Sequence, residues 1–327
     1  MGTLTISHLA YHLPDKKISN LELQQRFSVP ESQIFRQTGV KTRFHVEGEL
    51  MSNLAEKAAR KILDINPSLA SEIDALILVG HGFEYQGPIT AALLQHRLGL
   101  KKDCLALDLP QGCSGYINAL AVCKGLLSGD LAGCILLLTA DTPSFAISSD
   151  NLELLSLFSD SGTASVIRKS DEEGHKFVFG TDGSGSEFLM VKRSGTVHPP
   201  DVEWLQETNM PHGKMQMDGS AIFTFALKTV PKMIEEVLMK NNVKDDDIGL
   251  YVFHQANSFL LESLRKKMKI PHEKFFNDIT EVGNTVSSSI PIALKQAADS
   301  GRLNRGMKVV LAGFGIGLSW GATIVKY

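Results

Sequence analysis

Asp74-Ala-Leu-Ile-Leu-Val-Gly80 is an apolar run bounded by an acid and a glycine, with no alternation of polar and apolar residues along it. A strand with one wet face would alternate. A continuous run of this length suits a strand covered on both faces, as in sheets layered between helices. Outward from it, helical spacing over 53–63 precedes the run and a helical segment over 89–98 follows. A strand at 104–107, a helix over 117–127 and a second apolar strand over 133–141 continue the first half. The second half repeats the plan with a helix over 223–239, a strand over 248–253, helices over 258–267 and 290–298, and a closing strand over 307–313. The pattern predicts an α/β protein of two duplicated halves, 1–172 and 173–327, although residue identities between the halves are weak. The segment 176–219, with Gly183-Ser-Gly185 and His198-Pro-Pro200, is less regular and reads as a connection plus a loop over the site.

Composition narrows the class. The 327 residues are 43% hydrophobic and 21% charged, the balance of a globular protein with a full core. A formal net charge of -3 leaves no basic footprint, so nucleic acid is not an expected partner. The most apolar run, 134–140, is far shorter than the roughly 20 residues of a membrane span. The opening Met-Gly-Thr-Leu-Thr-Ile-Ser-His has no basic and apolar leader, and reads as the start of a strand rather than a myristoylation signal. Cysteines 104, 113, 123 and 134 lack paired Cys-x-x-Cys spacing, so neither a zinc site nor a disulfide scaffold is expected, and a reducing cytoplasm fits best. His198 and His212 have no partners at metal-ligand spacing and read as loop residues.

Cys113 differs from the other three, which read as small core residues. It stands in Asp108-Leu-Pro-Gln-Gly-Cys113-Ser-Gly115-Tyr, where a helix should begin. The positive end of that helix and its free N–H groups would favour the thiolate. Far downstream, Val252-Phe-His254-Gln-Ala-Asn257 and Gly283-Asn284-Thr supply a histidine and an asparagine that the fold could bring alongside. Taken singly, each has a plainer reading: a structural histidine at a strand end, Asn257 as a helix cap, Gly283-Asn-Thr as a turn. The glycine-rich 313–321 lacks Gly-x-Gly-x-x-Gly and opens no βαβ unit, so it is better explained by close packing than by phosphate binding.

Six stretches in order carry a resemblance over nearly the whole chain: Gln37-Thr-Gly-Val-Lys-Thr-Arg43, Gly112-Cys-Ser-Gly-Tyr116, Met217-Asp-Gly-Ser, Phe253-His-Gln-Ala-Asn257, Gly283-Asn-Thr285 and Gly313-Phe-Gly-Ile-Gly-Leu-Ser-Trp-Gly321. With these motifs the chain resembles the β-ketoacyl-acyl-carrier-protein synthase III family of the thiolase superfamily. The resemblance implies a five-layered αβαβα thiolase fold, a dimer, and decarboxylative Claisen condensation between a Cys113-bound acyl group and a malonyl thioester on acyl carrier protein. It implies Cys113, His254 and Asn284 as catalytic residues, and an oxyanion hole from the backbone N–H groups of Cys113 and Ile316. The substrate pocket would involve Gly87, Phe158 and Phe314. No cofactor or metal is implied beyond the two thioester substrates.

Departures from the family shape further expectations. The places where the family grips CoA fall on Gln33, Leu152 and Phe259, which cannot stack on adenine or pair with phosphate as tryptophan and arginine do. A carrier-protein or other non-CoA donor is therefore expected. Gly87 stands where a bulky residue often closes the partner subunit's pocket, so acyl chains longer than acetyl are expected unless Phe83 or Tyr85 refills the space. Ile316 replaces a usual glycine, keeping the N–H but not glycine's φ/ψ freedom. The rivals are acyl transfer from cysteine to an oxygen or nitrogen nucleophile, a non-catalytic subunit paired with a related chain, and thiolysis. Retention of Asn284, of the whole triad, and of no cysteine beyond residue 134 speaks against them in turn.

Overall fold

The computed structural model describes residues 3–170, 176–192, 194 and 213–327. Ala75–Gly80 is a fully buried strand, parallel to Leu105–Pro110 on one side and to Cys134–Asp141 on the other. Beyond Cys134–Asp141, Ser161–Ser170 and then Thr3–His12 add antiparallel, giving a five-stranded sheet. The second sheet copies this plan. Leu250–Phe253 runs parallel to Phe275–Phe276 and Lys308–Gly315, followed by antiparallel Ser319–Lys326 and Phe177–Thr181. The duplication expected from the apolar runs is thus written in strand order and direction, although the residues themselves have diverged.

Helices sort into three layers around the two sheets. Gly115–Ser128 and Ser289–Asp299 lie between them: Tyr116, Ile117, Leu120, Ile290 and Leu294 join one buried cluster with Ile77, Leu137, Val252 and Leu311 from both sheets. Met51–Leu63 and Thr90–Arg97 cover the outer face of the first sheet through Ala55, Ala58, Leu94 and their neighbours. Gly219–Asn241 and Ser258–Lys267 cover the second through Val230, Ile234, Leu261 and Leu264. The result is the five-layer αβαβα stack. Strands buried on both faces need Val, Ile and Leu in succession, which is why the sequence showed them without alternation.

Two elements differ from the sequence reading. The last strand of the apolar pattern extends to Gly315, and the glycine-rich stretch turns into a further strand, Ser319–Lys326, paired from Gly315 with Ser319 to Lys308 with Lys326. Glycine masked it, because strand propensity is low where side chains are absent. The edge strand is Leu105–Pro110 rather than 104–107, and its Pro110 is tolerated at the open edge of the sheet. Within 176–219, Leu189–Val191 pairs with Met215–Met217. His198-Pro-Pro200 and His212 lie outside the described residues. Among the described residues no helix is long and apolar enough to cross a membrane, and no group of His, Cys, Asp or Glu could hold a metal.

Candidate active site

The chemistry collects at the carboxyl ends of the parallel strands, where layered α/β proteins place their sites. Cys113 lies between the edge strand Leu105–Pro110 and the helix Gly115–Ser128 and is 5% exposed. Burial pushes its thiol up to about 12; the backbone N–H groups of Ile316 and Cys113 work against that rise, and the Asp141 carboxylate adds to it. Burial therefore favours the neutral thiol of Cys113 at rest. This corrects the expectation of a thiolate, because enclosure outweighs the helix terminus. Below the thiol's pKa the thiolate fraction grows tenfold per pH unit, so acyl loading should accelerate by up to about tenfold per unit between pH 7 and 9. Initial rates of adduct formation by intact mass check this, and a plateau already reached at pH 7 would contradict it.

The strand Lys308–Gly315 passes directly over the sulfur. A Cβ at Gly315 would stand 2.7 Å from Cys113 Cβ and 2.8 Å from Sγ, so only glycine admits that approach. Ile316 follows, with its N–H on the sulfur. It is not among the residues with positive φ; the left-handed excursion falls on Gly317, at φ 140°. The substitution of glycine by isoleucine therefore leaves the backbone donor in place.

His254 ends the strand Leu250–Phe253, where its N–H donates to the Ala312 carbonyl at 2.8 Å. The ring is 2% exposed, meets the Phe314 ring edge-on at 5.8 Å, and places Nδ1 2.6 Å from Ser289 Oγ. Burial drives its pKa down to about 3, opposed by a hydrogen bond to the Val286 backbone. The imidazole is neutral at physiological pH. Which of Nδ1 and Ser289 Oγ donates depends on the tautomer; with the hydroxyl donating, the ring proton is on Nε2. Asn284 is fixed from three sides: its backbone N–H donates to Leu157 O at 2.9 Å, its Oδ1 accepts from Val286 N at 2.9 Å, and Nδ2 donates to Ala256 O at 3.1 Å. An amide nitrogen carries two hydrogens, so one N–H remains for a ligand.

The sequence motifs around these residues act as supports. Arg43, fully buried, donates to Asn20 Oδ1 at 2.7 Å and to Ser156 O at 2.8 Å, bracing the strap whose next carbonyl, that of Leu157, holds Asn284. Asn257 caps the helix Ser258–Lys267 by accepting from Leu260 N, as the plainer reading of His-Gln-Ala-Asn had it. Asp218 caps Gly219–Asn241.

Cys113 opens into a cavity of about 700 Å³ walled mainly by apolar side chains, including Phe83, Phe145, Phe158, Leu189 and Val286. Phe158 is on this wall, as expected. Phe314 is not: it backs the His254 ring inside the core of the second half. Gly87 is also absent from the wall of its own chain, on a loop where an added Cβ would meet nothing within 4 Å. Phe83 does line the cavity, whereas Tyr85 is exposed. At the surface, Phe259 is 62% exposed and stacks on Phe223 at 5.5 Å, Gln33 is exposed and Leu152 half-buried. His81 and Asp141, also on the cavity wall, were missed in the sequence. Both sit at the carboxyl ends of the two apolar strands, Ala75–Gly80 and Cys134–Asp141, which was the available signal.

Comparison with known proteins agrees with this geometry. Residues 107–183 match the family model described as 3-Oxoacyl-[acyl-carrier-protein (ACP)] synthase III, and residues 238–327 match its C-terminal counterpart. The β-ketoacyl-[acyl-carrier-protein] synthase III of Clostridium tetani is 32% identical over 97% of this chain and 96% of its own. A crystal structure of a 3-oxoacyl-(acyl-carrier-protein) synthase III superposes with a TM-score of 0.94 at 36% identity, covering 99% of this chain and 100% of the other. The priming β-ketosynthase of the R1128 polyketide pathway superposes with a TM-score of 0.88 at 25% identity, covering 99% and 96%.

Proposed function

Because this chain belongs to the β-ketoacyl-[acyl-carrier-protein] synthase III family, we propose that Cys113, His254 and Asn284 are the residues through which it condenses an acyl group with a malonyl thioester. The chain is an acyltransferase of the condensing type. The observations that support the residue assignment are the links around Cys113: Gly315 packs on its sulfur, the adjacent Phe314 meets the His254 ring, and Val286, on the cavity wall with Cys113, donates to Asn284 Oδ1.

In the first half-reaction Cys113 gives up its proton, Sγ attacks the acyl thioester, and the donor thiol leaves with a proton as the new thioester forms. The tetrahedral oxyanion receives the N–H groups of Cys113 and Ile316. In the second, the malonyl thioester loses CO2; the electron pair left behind is held as an enolate by Nε2–H of His254 and the free N–H of Asn284. Its carbon attacks the Cys113 thioester, the C–S bond breaks, and the β-ketoacyl thioester departs. The carbanion comes from decarboxylation, so the scheme calls for no resident cofactor.

The remaining features of the reading concern delivery and assembly. Acyl carrier protein brings the malonyl group and, with Gln33, Leu152 and Phe259 unable to grip a nucleotide, the acyl group as well. The chain forms a homodimer through its open sheet edge: Leu105–Pro110 is half-exposed there, with Tyr85 and Ile89 exposed nearby. Four free thiols suit a reducing cytoplasm. Exposure of wild type and Cys113→Ala to acyl-carrier protein and to the matching acyl-CoA tests the reading by intact mass. One acyl adduct is expected on the wild type, faster from the carrier protein. An equal adduct on Cys113→Ala would overturn the nucleophile, and faster loading from CoA would overturn the donor.

A further inference from the structure

The cavity beside Cys113 is mainly apolar; of its polar side chains (His81, Asp141, Thr142, Ser186 and Ser194), His81 packs on the residue next to Cys113. The His81 ring and the Ile316 side chain both rest on Gly112: a Cβ there would meet His81 Cε1 at 2.4 Å, His81 Nδ1 at 2.9 Å and Ile316 Cγ2 at 2.9 Å. An imidazole thus lies over the residue preceding the nucleophile and lines the same cavity as Cys113. Its side chain keeps 40% of its accessible surface, turned to a concave wall rather than packed in the core. The ring is placed by its own backbone. His81 N donates to Asp141 Oδ1 at 2.8 Å, while Asp141 Oδ2 accepts from Ser287 N at 3.0 Å and from Ser287 Oγ, tying the loop to the second half. The ring itself is left over. Its Nδ1 is 3.9 Å from Asp141 Oδ1, beyond hydrogen-bond length, and neither ring nitrogen bonds a described residue.

We infer that His81 is a specificity handle for the acyl group on Cys113, selecting chains that carry a hydroxyl within the first few carbons after the thioester. The inference rests on the acyl-enzyme reading and adds to it the class of acyl chain. A binding cavity that is largely apolar recognises its ligand through the few polar groups placed in it, and an unpartnered one is the position a ligand's polar group fills. Enclosure lowers the His81 pKa, so the ring is neutral at physiological pH. One nitrogen then donates and the other accepts, the pairing that a hydroxyl satisfies and a methylene does not. Of the other polar groups, Ser194 Oγ donates to Val191 O at 2.6 Å and Asp141 has both oxygens engaged; Thr142 and Ser186 share the wall, and His81 is distinguished from them by resting on Gly112, next to Cys113.

The test uses butyrate, 2-hydroxybutyrate and 3-hydroxybutyrate as thioesters of acyl carrier protein, the donor proposed above, with initial rates of the Cys113 adduct read by intact mass. One net hydrogen bond corresponds to about a tenfold preference, so one hydroxylated donor should load about tenfold faster than butyryl on the wild type. His81→Leu should remove or reverse that preference, and His81→Gln, which keeps a donor and an acceptor, should retain about threefold of it. Butyryl loading as fast as both hydroxylated donors on the wild type would overturn the handle, as would a preference that survives His81→Leu. Adducts from no donor would instead overturn the acyl-enzyme reading on which it rests.

Discussion

Cys113→Ala is expected to lower condensation by at least ~10³-fold while leaving malonyl decarboxylation running. Removing a covalent nucleophile abolishes the two-step route, and the loss is of the kind seen when one member of a catalytic unit is deleted. The groups proposed to hold the enolate are untouched, since His254 is set by Ser289 and Phe314 and Asn284 by Val286, Ala256 and Leu157. The variant should therefore release CO2 from malonyl-carrier protein and yield acetyl-carrier protein, the carbanion taking a proton in place of an acyl group. Parallel assays of CO2 and of the carrier-protein product by mass check this. Coupled loss of both activities would show that the sulfur itself is needed for decarboxylation.

Asn284→Ala and His254→Ala should do the reverse. Each removes one donor aimed at the enolate, a loss of ~10²–10³ in the condensing step, while Cys113 still takes up an acyl group. The acyl-enzyme should accumulate and persist. Because burial holds His254 far below the ordinary imidazole value of 6.5, at about 3, its protonation state does not change across neutral pH. A lowered histidine pKa favours the neutral form, so His254 should contribute no acidic limb to the condensing step between pH 5.5 and 7.5; the Asp141 carboxyl, raised to about 7 by burial, is a cavity group that titrates there. Single-turnover rates starting from pre-loaded enzyme check this apart from the pH dependence of loading. A limb centred near 6.5 and belonging to His254 would place it in a wetter and more basic setting than its contacts describe.

The layered fold was legible because burial on both faces writes itself into composition: Ala75–Gly80 and Cys134–Asp141 have no polar residue inside them except Thr139, which bonds Thr163 and Ser288. The two-fold repeat was legible only as a rhythm of elements, since packing constrains side-chain size and polarity more than identity. Ser319–Lys326 was hidden by the glycines around it: Gly313 and Gly315 of the preceding strand pass close to Cys113, Ser114 and Ile117, and Gly321 lies against Ile117 and Asn118. The proposed triad was readable as three motifs, but the contacts that support those residues were not. That Arg43 braces the strap beside Asn284, or that Phe314 backs His254 instead of lining a pocket, depends on contacts between residues more than a hundred positions, or some sixty, apart. The charge state of Cys113 failed for a related reason: a helix terminus is local and visible in sequence, whereas enclosure by Gly315 and Ile316 comes from the other half of the chain.

On the proposed route the Cys113 thioester is consumed by a carbanion released from malonyl-carrier protein. Enzyme loaded with a labelled acyl group, freed of donor and mixed with one equivalent of malonyl-carrier protein, tests it in a single turnover. The adduct mass on Cys113 is expected to disappear as one equivalent of CO2 is released and the label appears in β-ketoacyl-carrier protein. Loss of the adduct to water, an alcohol or an amine, with no CO2 released and no label on the carrier protein, would contradict it.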